Sequence, residues 1–118
     1  MEDDKALEAR IRTRMAFEKA KADFMAADGA GQDLVVRLRS AVAGMTERKP
    51  DSRPGDKPKL AFNPNNPNAW LAELPTAEGI RSQMTQWWQA RMAMLAAHRA
   101  LDPQDAREVR LPDGIQGR

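Results

Sequence analysis

Two adjacent tryptophans, Trp87 and Trp88, are the most distinctive side chains of this sequence. An indole buries a large apolar surface while its N–H seeks an acceptor, so tryptophan is common at contacts that are dry on one side and wet on the other. Adjacent residues of a helix point about 100° apart, so one indole can face a core while the other faces its flank. We expect either a space-filling pair at the edge of a core or the centre of a protein-binding surface.

Arg91 and His98 fall on the same predicted helix face as Met84 and Trp87. Because a buried arginine requires a carboxylate or several carbonyl groups, we expect this face to be only partly buried, with Arg91 stacked on an indole. The alternative is a groove in which the guanidinium and the imidazole receive an anionic ligand. A platform for stacking nucleic-acid bases would require more basic neighbours than Arg81 and Arg91.

The sequence contains no motif for catalysis or for metal binding. It has no cysteine, which excludes thiolate nucleophiles, disulfides and cysteine metal ligands. No spacing matches a calcium loop, a zinc helix or a serine nucleophile motif. We therefore expect a protein that is not an enzyme and that has no catalytic residues, no cofactor and no metal. A small helical enzyme is the lesser alternative, because carboxylate pairs distant in sequence leave no local pattern.

The composition indicates one small domain with a thin core. The chain has 118 residues, of which 42% are hydrophobic, and many of these are alanine. A thin core raises the chance that another chain completes it. The pI of about 9.3 reflects a net charge of only +2, from 19 basic and 17 acidic residues that are evenly spread. DNA-binding proteins usually cluster their basic residues, so a nucleic-acid partner is disfavoured.

Residues 1–46 have the pattern of a helical hairpin. An acidic start and apolar residues at helical spacing predict a helix over 2–28. The glycines at 29–31 predict a hinge, and a further apolar stripe predicts a second helix over 32–46. The first helix carries two stripes, so we expect contacts on two sides, or else one buried stripe and one exposed flank. The first stripe is Leu7, Ile11, Met15, Ala22 and Met25, and the second is Phe17 and Phe24.

Residues 47–75 hold six of the eight prolines and read as an extended strap. A residue that precedes proline is pushed out of the α region, and asparagine favours turns, so FNPNNPN at 62–68 predicts a stiff, non-helical segment. Its spaced apolar side chains suit docking along a surface, either of this chain's own helices or of a neighbour.

Residues 76–101 predict a long amphipathic helix. Thr76 is a suitable N-cap, and Pro103 lies just beyond the end. The remainder, to residue 118, predicts a short extended arm or a frayed end. The expected fold class is all-α, in which the hairpin (1–46), the strap (47–75) and the amphipathic helix with its tail (76–118) together make up one domain.

We expect a protein–protein interaction subunit, an accessory or adaptor component of a larger assembly such as a viral particle, connector or multi-protein machine. Its partner would be another protein or further copies of the chain. The alternative is a small nucleic-acid-associated regulator. No stretch approaches the length of a membrane span, and we expect a location in the cytoplasm or in a particle assembled there. The predicted interface consists of Leu60, Phe62, Trp70, Leu71, Leu74, Met84, Trp87, Trp88 and Arg91.

Overall fold

The computed structural model describes residues 2–47, 55, 57, 59–60 and 74–115. Its elements are α1 (Glu2–Met45), β1 (Thr46–Glu47), β2 (Lys59–Leu60), α2 (Ala77–Arg99) and α3 (Pro103–Glu108). The two strands are two residues long and form a single antiparallel pair, so the predicted all-α class is confirmed. Most of the predicted strap lies outside the described residues.

The predicted hinge between two N-terminal helices is wrong, because α1 continues through residues 29–31. Among the described glycines, positive φ angles occur at Gly55 and Gly114 and not at Gly29 or Gly31. A glycine inside a helix costs only about 1 kcal/mol relative to alanine. The helix-favouring residues on either side outweigh this cost, and the hairpin of 2–28 and 32–46 is replaced by one helix.

The chain forms two compact units, Met1–Gly31 with Ser82–Arg118 and, separately, Gln32–Arg81. In the second unit Ala41 is buried, and Thr46 of β1 pairs with Leu60 of β2. The hydroxyl oxygen of Thr76 accepts a hydrogen bond from the Gly79 N–H at 3.0 Å, which satisfies one of the free donors at the start of α2. The predicted cap of the long helix is therefore confirmed.

In the first unit, α1 and α2 pack against each other along a seam of aromatic contacts. The ring of Phe17 lies 5.7 Å from that of His98, and the ring of Phe24 lies 5.6 Å from that of Trp87. The residue number rises along α1 while it falls along α2, so the two helices are antiparallel here. Phe17, Phe24, Met94 and Leu101 form the buried cluster at this seam.

The two apolar stripes of α1 have different environments. Phe17 and Phe24 are buried, whereas Met15 is 67% exposed and Leu7, Ile11 and Met25 are also exposed. The prediction of one buried stripe and one exposed flank is confirmed, and the buried stripe is the shorter one. Phenylalanine has a large apolar side chain, so the two phenylalanines that pack with Met94 and Leu101 bury a large apolar area although their stripe is short.

The C-terminal residues fold back onto the helix pair instead of forming a free arm. Asp102 caps α3 by accepting a hydrogen bond from the Gln104 N–H at 2.9 Å, and Pro103 occupies the first turn, where its missing N–H is not needed. Beyond α3, the side chains of Val109, Leu111 and Ile115 pack against the buried cluster. The tail thus supplies part of the apolar cover that a pair of helices lacks.

Candidate functional site

The two adjacent indoles divide between core and surface, as the helical geometry predicts. Trp87 is half-buried and packs against the cluster at the seam. Its Nε1 donates a hydrogen bond to Oδ1 of Asp28 on α1 at 2.9 Å. Trp88 is 55% exposed, and its ring centroid lies 6.3 Å from that of Trp87. Trp87 is therefore committed to the fold, while Trp88 is available to a ligand or a partner.

Arg91 contacts the exposed indole. Its guanidinium carbon lies 5.5 Å from the centroid of the Trp88 ring, which is the cation–π geometry. The sequence-based expectation that Arg91 stacks on a tryptophan is confirmed. The contact leaves the guanidinium N–H donors of Arg91 without a carboxylate partner among the described residues.

Both helices of the pair carry exposed methionines in the unit that includes Trp88. On α2, Met84 is 65% exposed and Met92 is 43% exposed; on α1, Met25 is 52% exposed. We call Met25, Met84, Trp88 and Met92 the Trp88 face. Methionine and tryptophan together form a polarizable, adaptable apolar surface of the kind found at promiscuous binding sites.

The α1 and α2 members of this face lie on the same side of the helix pair. Successive residues of a helix are rotated by about 100° around its axis. On α1, Met25 is therefore rotated by about 90° from Phe17 and Phe24, which face the seam. On α2, Met84 and Trp88 are rotated in the same sense from the residues that face the seam. Because the two helices run in opposite directions and face each other, a rotation in the same sense on each helix moves residues to the same side of the pair. Met25, Met84 and Trp88 therefore line one groove between the helices.

Two cations lie near the floor of this groove. Lys21 is displaced about 50° from the seam of α1, and Arg91 is displaced about 50° from the seam of α2, in the same sense as the Trp88 face. Along α1, Lys21 comes between Phe17 and Phe24. Along α2, Arg91 comes between Trp87 and His98, the residues whose rings contact those of Phe24 and Phe17. The two side chains therefore face the groove at the same level, and we call them the cation pair.

The cation pair has no acidic partner in the described part of the chain. Both side chains are half-buried, and neither forms an ion pair with a described carboxylate. Glu18, three residues before Lys21 and displaced about 110° from the seam of α1 in the same sense, is exposed and also lacks an ion pair among the described residues. Two neighbouring cations that are partly withdrawn from water repel each other, so the groove favours an anion.

At the far end of the pair, a buried carboxylate fastens α3 to α1. The side chain of Asp105 is only 3% exposed and lies 3.0 Å from Nη2 of Arg10; Nη1 of Arg14 lies 3.4 Å from the same oxygen, Oδ1. The hydrogen bonds from Arg10 are the largest cause of a lowered pKa for Asp105, and burial acts against it. Arg14 also bonds Glu108 at 3.0 Å, so these arginines are already neutralised and serve the fold.

The structure gathers four of the predicted interface residues and leaves the others elsewhere. Met84, Trp87, Trp88 and Arg91 lie within two turns of α2, with Trp87 turned toward the seam. In the unit formed by residues 32–81, Leu60 contributes backbone to β2, and Leu74 is half-buried just before α2. Phe62, Trp70 and Leu71 fall outside the described residues.

Sequence reasoning missed the contribution of α1 to this site. Met25 falls in the first apolar stripe, for which either a contact or an exposed flank was expected, and no pattern in the sequence predicted that Lys21 lies beside α2. Arg14, which lies four residues before Glu18, bonds Asp105 and Glu108 on α3 instead. The seven-residue spacing of Phe17 and Phe24 was the available signal, because it marks the side of α1 that a second helix covers.

The described residues hold neither a metal-ligand cluster nor a helix able to span a membrane. There, no three histidine, aspartate or glutamate side chains come together as a metal-binding group. No described helix combines the length and the apolar character that crossing a bilayer requires. Comparison of the chain with protein-family models, with curated proteins and with solved structures gives no match in any of the three.

Proposed function

We propose that this protein is a non-enzymatic interaction subunit, an accessory or adaptor component of a larger assembly such as a viral particle, connector or multi-protein machine. It docks on a partner protein through the Trp88 face. The observation that carries this proposal is the 55% exposure of Trp88 beside two exposed methionines, Met25 and Met84. Tryptophan, methionine and arginine are the residue types enriched at the buried centres of protein interfaces.

The energetics of the unit support an external partner. The seam between α1 and α2 buries Phe17, Phe24, Met94 and Leu101 as its central cluster. Trp88 and the methionines of the Trp88 face stay between 43% and 65% exposed. A tryptophan that is exposed in the free protein and buried in a well-packed interface is a typical hot spot. Its replacement by alanine weakens the binding free energy by about 2 kcal/mol or more. A partner that covers the Trp88 face would therefore gain affinity from one side of this helix pair.

The strap is the second proposed contact. Its anchors Phe62, Trp70 and Leu71 are spaced for docking on a surface, and this part of the proposal rests on the sequence alone. An assembly subunit of this kind requires no cofactor, and we propose that it acts in the cytoplasm or in a particle assembled there.

A nucleic-acid-associated regulator is the second candidate, and one observation speaks for it. An exposed indole next to Arg91 and Lys21 resembles, in chemical type, a site that stacks a base and holds a phosphate. The candidate is weaker because affinity for nucleic acid grows with the number of phosphates that are neutralised. The groove offers two cations that form no ion pair with a described carboxylate. The net charge of the whole chain is +2.

Affinity capture from the native source tests the proposal with a matched pair of variants. Met84 and Met15 are exposed to nearly the same extent, 65% and 67%, but Met15 lies about 160° around α1 from Phe17 and away from the groove. We expect Met84→Ala with Trp88→Ala to reduce the captured partner at least tenfold, and Met15→Ala to leave it unchanged. Equal capture by both variants would contradict docking through the Trp88 face, and nuclease-sensitive capture would favour the second candidate.

A further inference from the structure

We infer that the occupant of the groove is an acidic amphipathic helix of a partner protein, with one of its carboxylates bridging Lys21 and Arg91 and its apolar residues covering Met25, Met84 and Trp88. This inference rests on the proposed function and specifies the chemistry of the partner. It joins two independent features of the first unit, the exposed apolar rims and the unpaired cations between them.

The shape of the groove selects a helix. Its walls are two antiparallel helices, and its exposed apolar residues Met84 and Trp88 are four apart on α2, so the rim follows the helix axis. A third helix laid along such a groove presents its own apolar residues at three- and four-residue spacing and completes a bundle. Extended peptides, in contrast, bind by pairing with an open strand edge, which neither α1 nor α2 offers.

The charge of the groove selects an acidic residue on that helix. Lys21 and Arg91 lie at one level and lack acidic partners within the described residues, so an incoming carboxylate gains two charge-assisted contacts. Arg91 is held over the Trp88 ring, which limits its rotamers and lowers the entropic cost of ordering it on binding.

The same charges disfavour a second copy of this chain in the groove. A two-fold interface brings the same patch of each copy together. Two copies of the cation pair would then meet. Of the two acidic residues on this side of α1 within the seam, Asp28 accepts the Trp87 N–H, which leaves Glu18 to offset them. A second copy would add its own Lys21 and Arg91 to the repulsion between these cations, whereas an acidic partner would offset that repulsion.

Binding of designed peptides to the full-length chain tests this inference. The probes are three stapled helical peptides of about 18 residues with leucines on one face. They differ at one central position beside that face, which is glutamate, glutamine or lysine. We expect the glutamate peptide to bind about tenfold more tightly than the glutamine peptide, because a charge-assisted bond replaces a neutral one. Quenching or a blue shift of tryptophan emission reports occupancy.

Substitutions in the chain identify the cations that act. Lys21→Gln and Arg91→Gln are each expected to weaken binding of the glutamate peptide about tenfold. Arg12→Gln removes an exposed cation that lies about 130° around α1 from the seam, in the opposite sense to Lys21, and should change nothing. Because Arg91→Gln also removes the contact with Trp88, the double variant Lys21→Glu with Arg91→Glu is the sharper test. It should lose the glutamate peptide and bind the lysine peptide instead, while its circular dichroism remains that of the parent protein.

The outcomes separate this inference from the proposed function. Equal binding of the three peptides, abolished by Trp88→Ala, would overturn the acidic partner while leaving a docking face. Absence of binding by every peptide, concentration-dependent self-association through Trp88, or displacement of the glutamate peptide by oligothymidylate would also overturn it. The proposed function fails separately, when partner capture is the same with and without Trp88 and Met84.

Discussion

The buried carboxylate of Asp105 holds the C-terminal helix α3 against α1. Both oxygens of Asp105 accept hydrogen bonds from Arg10, at 3.2 and 3.0 Å, in the two-pronged geometry that suits arginine and carboxylate. Removing one member of such a pair leaves the other partly desolvated without compensation. Stability of the fold at this end therefore depends on the charge of one residue.

Asp105→Asn should lower the stability of the protein at neutral pH and remove part of its sensitivity to acid. The pKa of Asp105 is lowered in the folded state from an ordinary value of 3.8, chiefly by the hydrogen bonds from Arg10. The contribution of this carboxylate is therefore complete above about pH 4 and is lost as the pH falls through the folded-state pKa. Urea unfolding followed by circular dichroism at several pH values measures the difference between variant and parent.

Asp113→Asn is the matched control for that measurement. Asp113 also faces an arginine, Arg110, at 3.5 Å, but its side chain is 95% exposed. An exposed ion pair contributes about 0–1 kcal/mol, so this variant should unfold like the parent at every pH. A loss of stability in Asp113→Asn that equals the loss in Asp105→Asn would contradict the role given to burial.

At the scale of elements, the central feature is the pairing of α1 with α2 through Phe17 and Phe24. The ring contacts to His98 and Trp87 fix which side of α1 is covered. The longer apolar stripe, which includes Leu7, is left in water. The stripe with fewer residues forms the core because its aromatic rings meet Met94 and Leu101.

Alanine substitutions in the two stripes should have very different costs. Phe17→Ala empties a fully buried site and should lower the unfolding free energy by about 3–5 kcal/mol. Met15→Ala, two residues away and 67% exposed, should change it by less than about 0.5 kcal/mol. Thermal and urea unfolding of both variants measures the difference, and similar costs would mean that the buried side of α1 has been misassigned.

Glycine substitutions test the continuity of α1. Gly29 lies inside the helix, and a Cβ added there has nothing within 4 Å, so Gly29→Ala should stabilise the protein by about 0.5–1 kcal/mol. Gly114 has a φ of 83°, which alanine tolerates poorly, so Gly114→Ala should destabilise by about 1 kcal/mol. If Gly29→Ala were destabilising to a similar extent, residues 29–31 would form the hinge that the sequence pattern suggested.

The sequence was sufficient wherever the deciding interaction is local. Thr76 and the amphipathic pattern after it predicted the start of α2, and the 100° rule predicted the different environments of Trp87 and Trp88. Glycine spacing misled because the cost of a helical glycine is small and its neighbours decide the outcome. The pairing of Arg10 with Asp105, which are 95 residues apart, leaves no local pattern, and neither does the placement of Lys21 opposite Arg91.

For the molecule as a whole, we expect one side of the pair formed by α1 and α2 to be an interface and the other side to remain free. Trp88 and Ala93 are both exposed and lie about 140° apart around α2, so they sample opposite sides of the same element. The domain ranges inferred from the sequence, 1–46, 47–75 and 76–118, stay predictions, as does the role of the strap.

Site-specific photocrosslinking in the native source tests the central claim most directly. A benzoylphenylalanine is placed at position 88 in one variant and at position 93 in another, and covalent adducts are separated and identified by mass spectrometry. We expect a discrete protein adduct from position 88 and none from position 93. Equal adducts from both positions, or nucleic acid as the species captured at position 88, would contradict it.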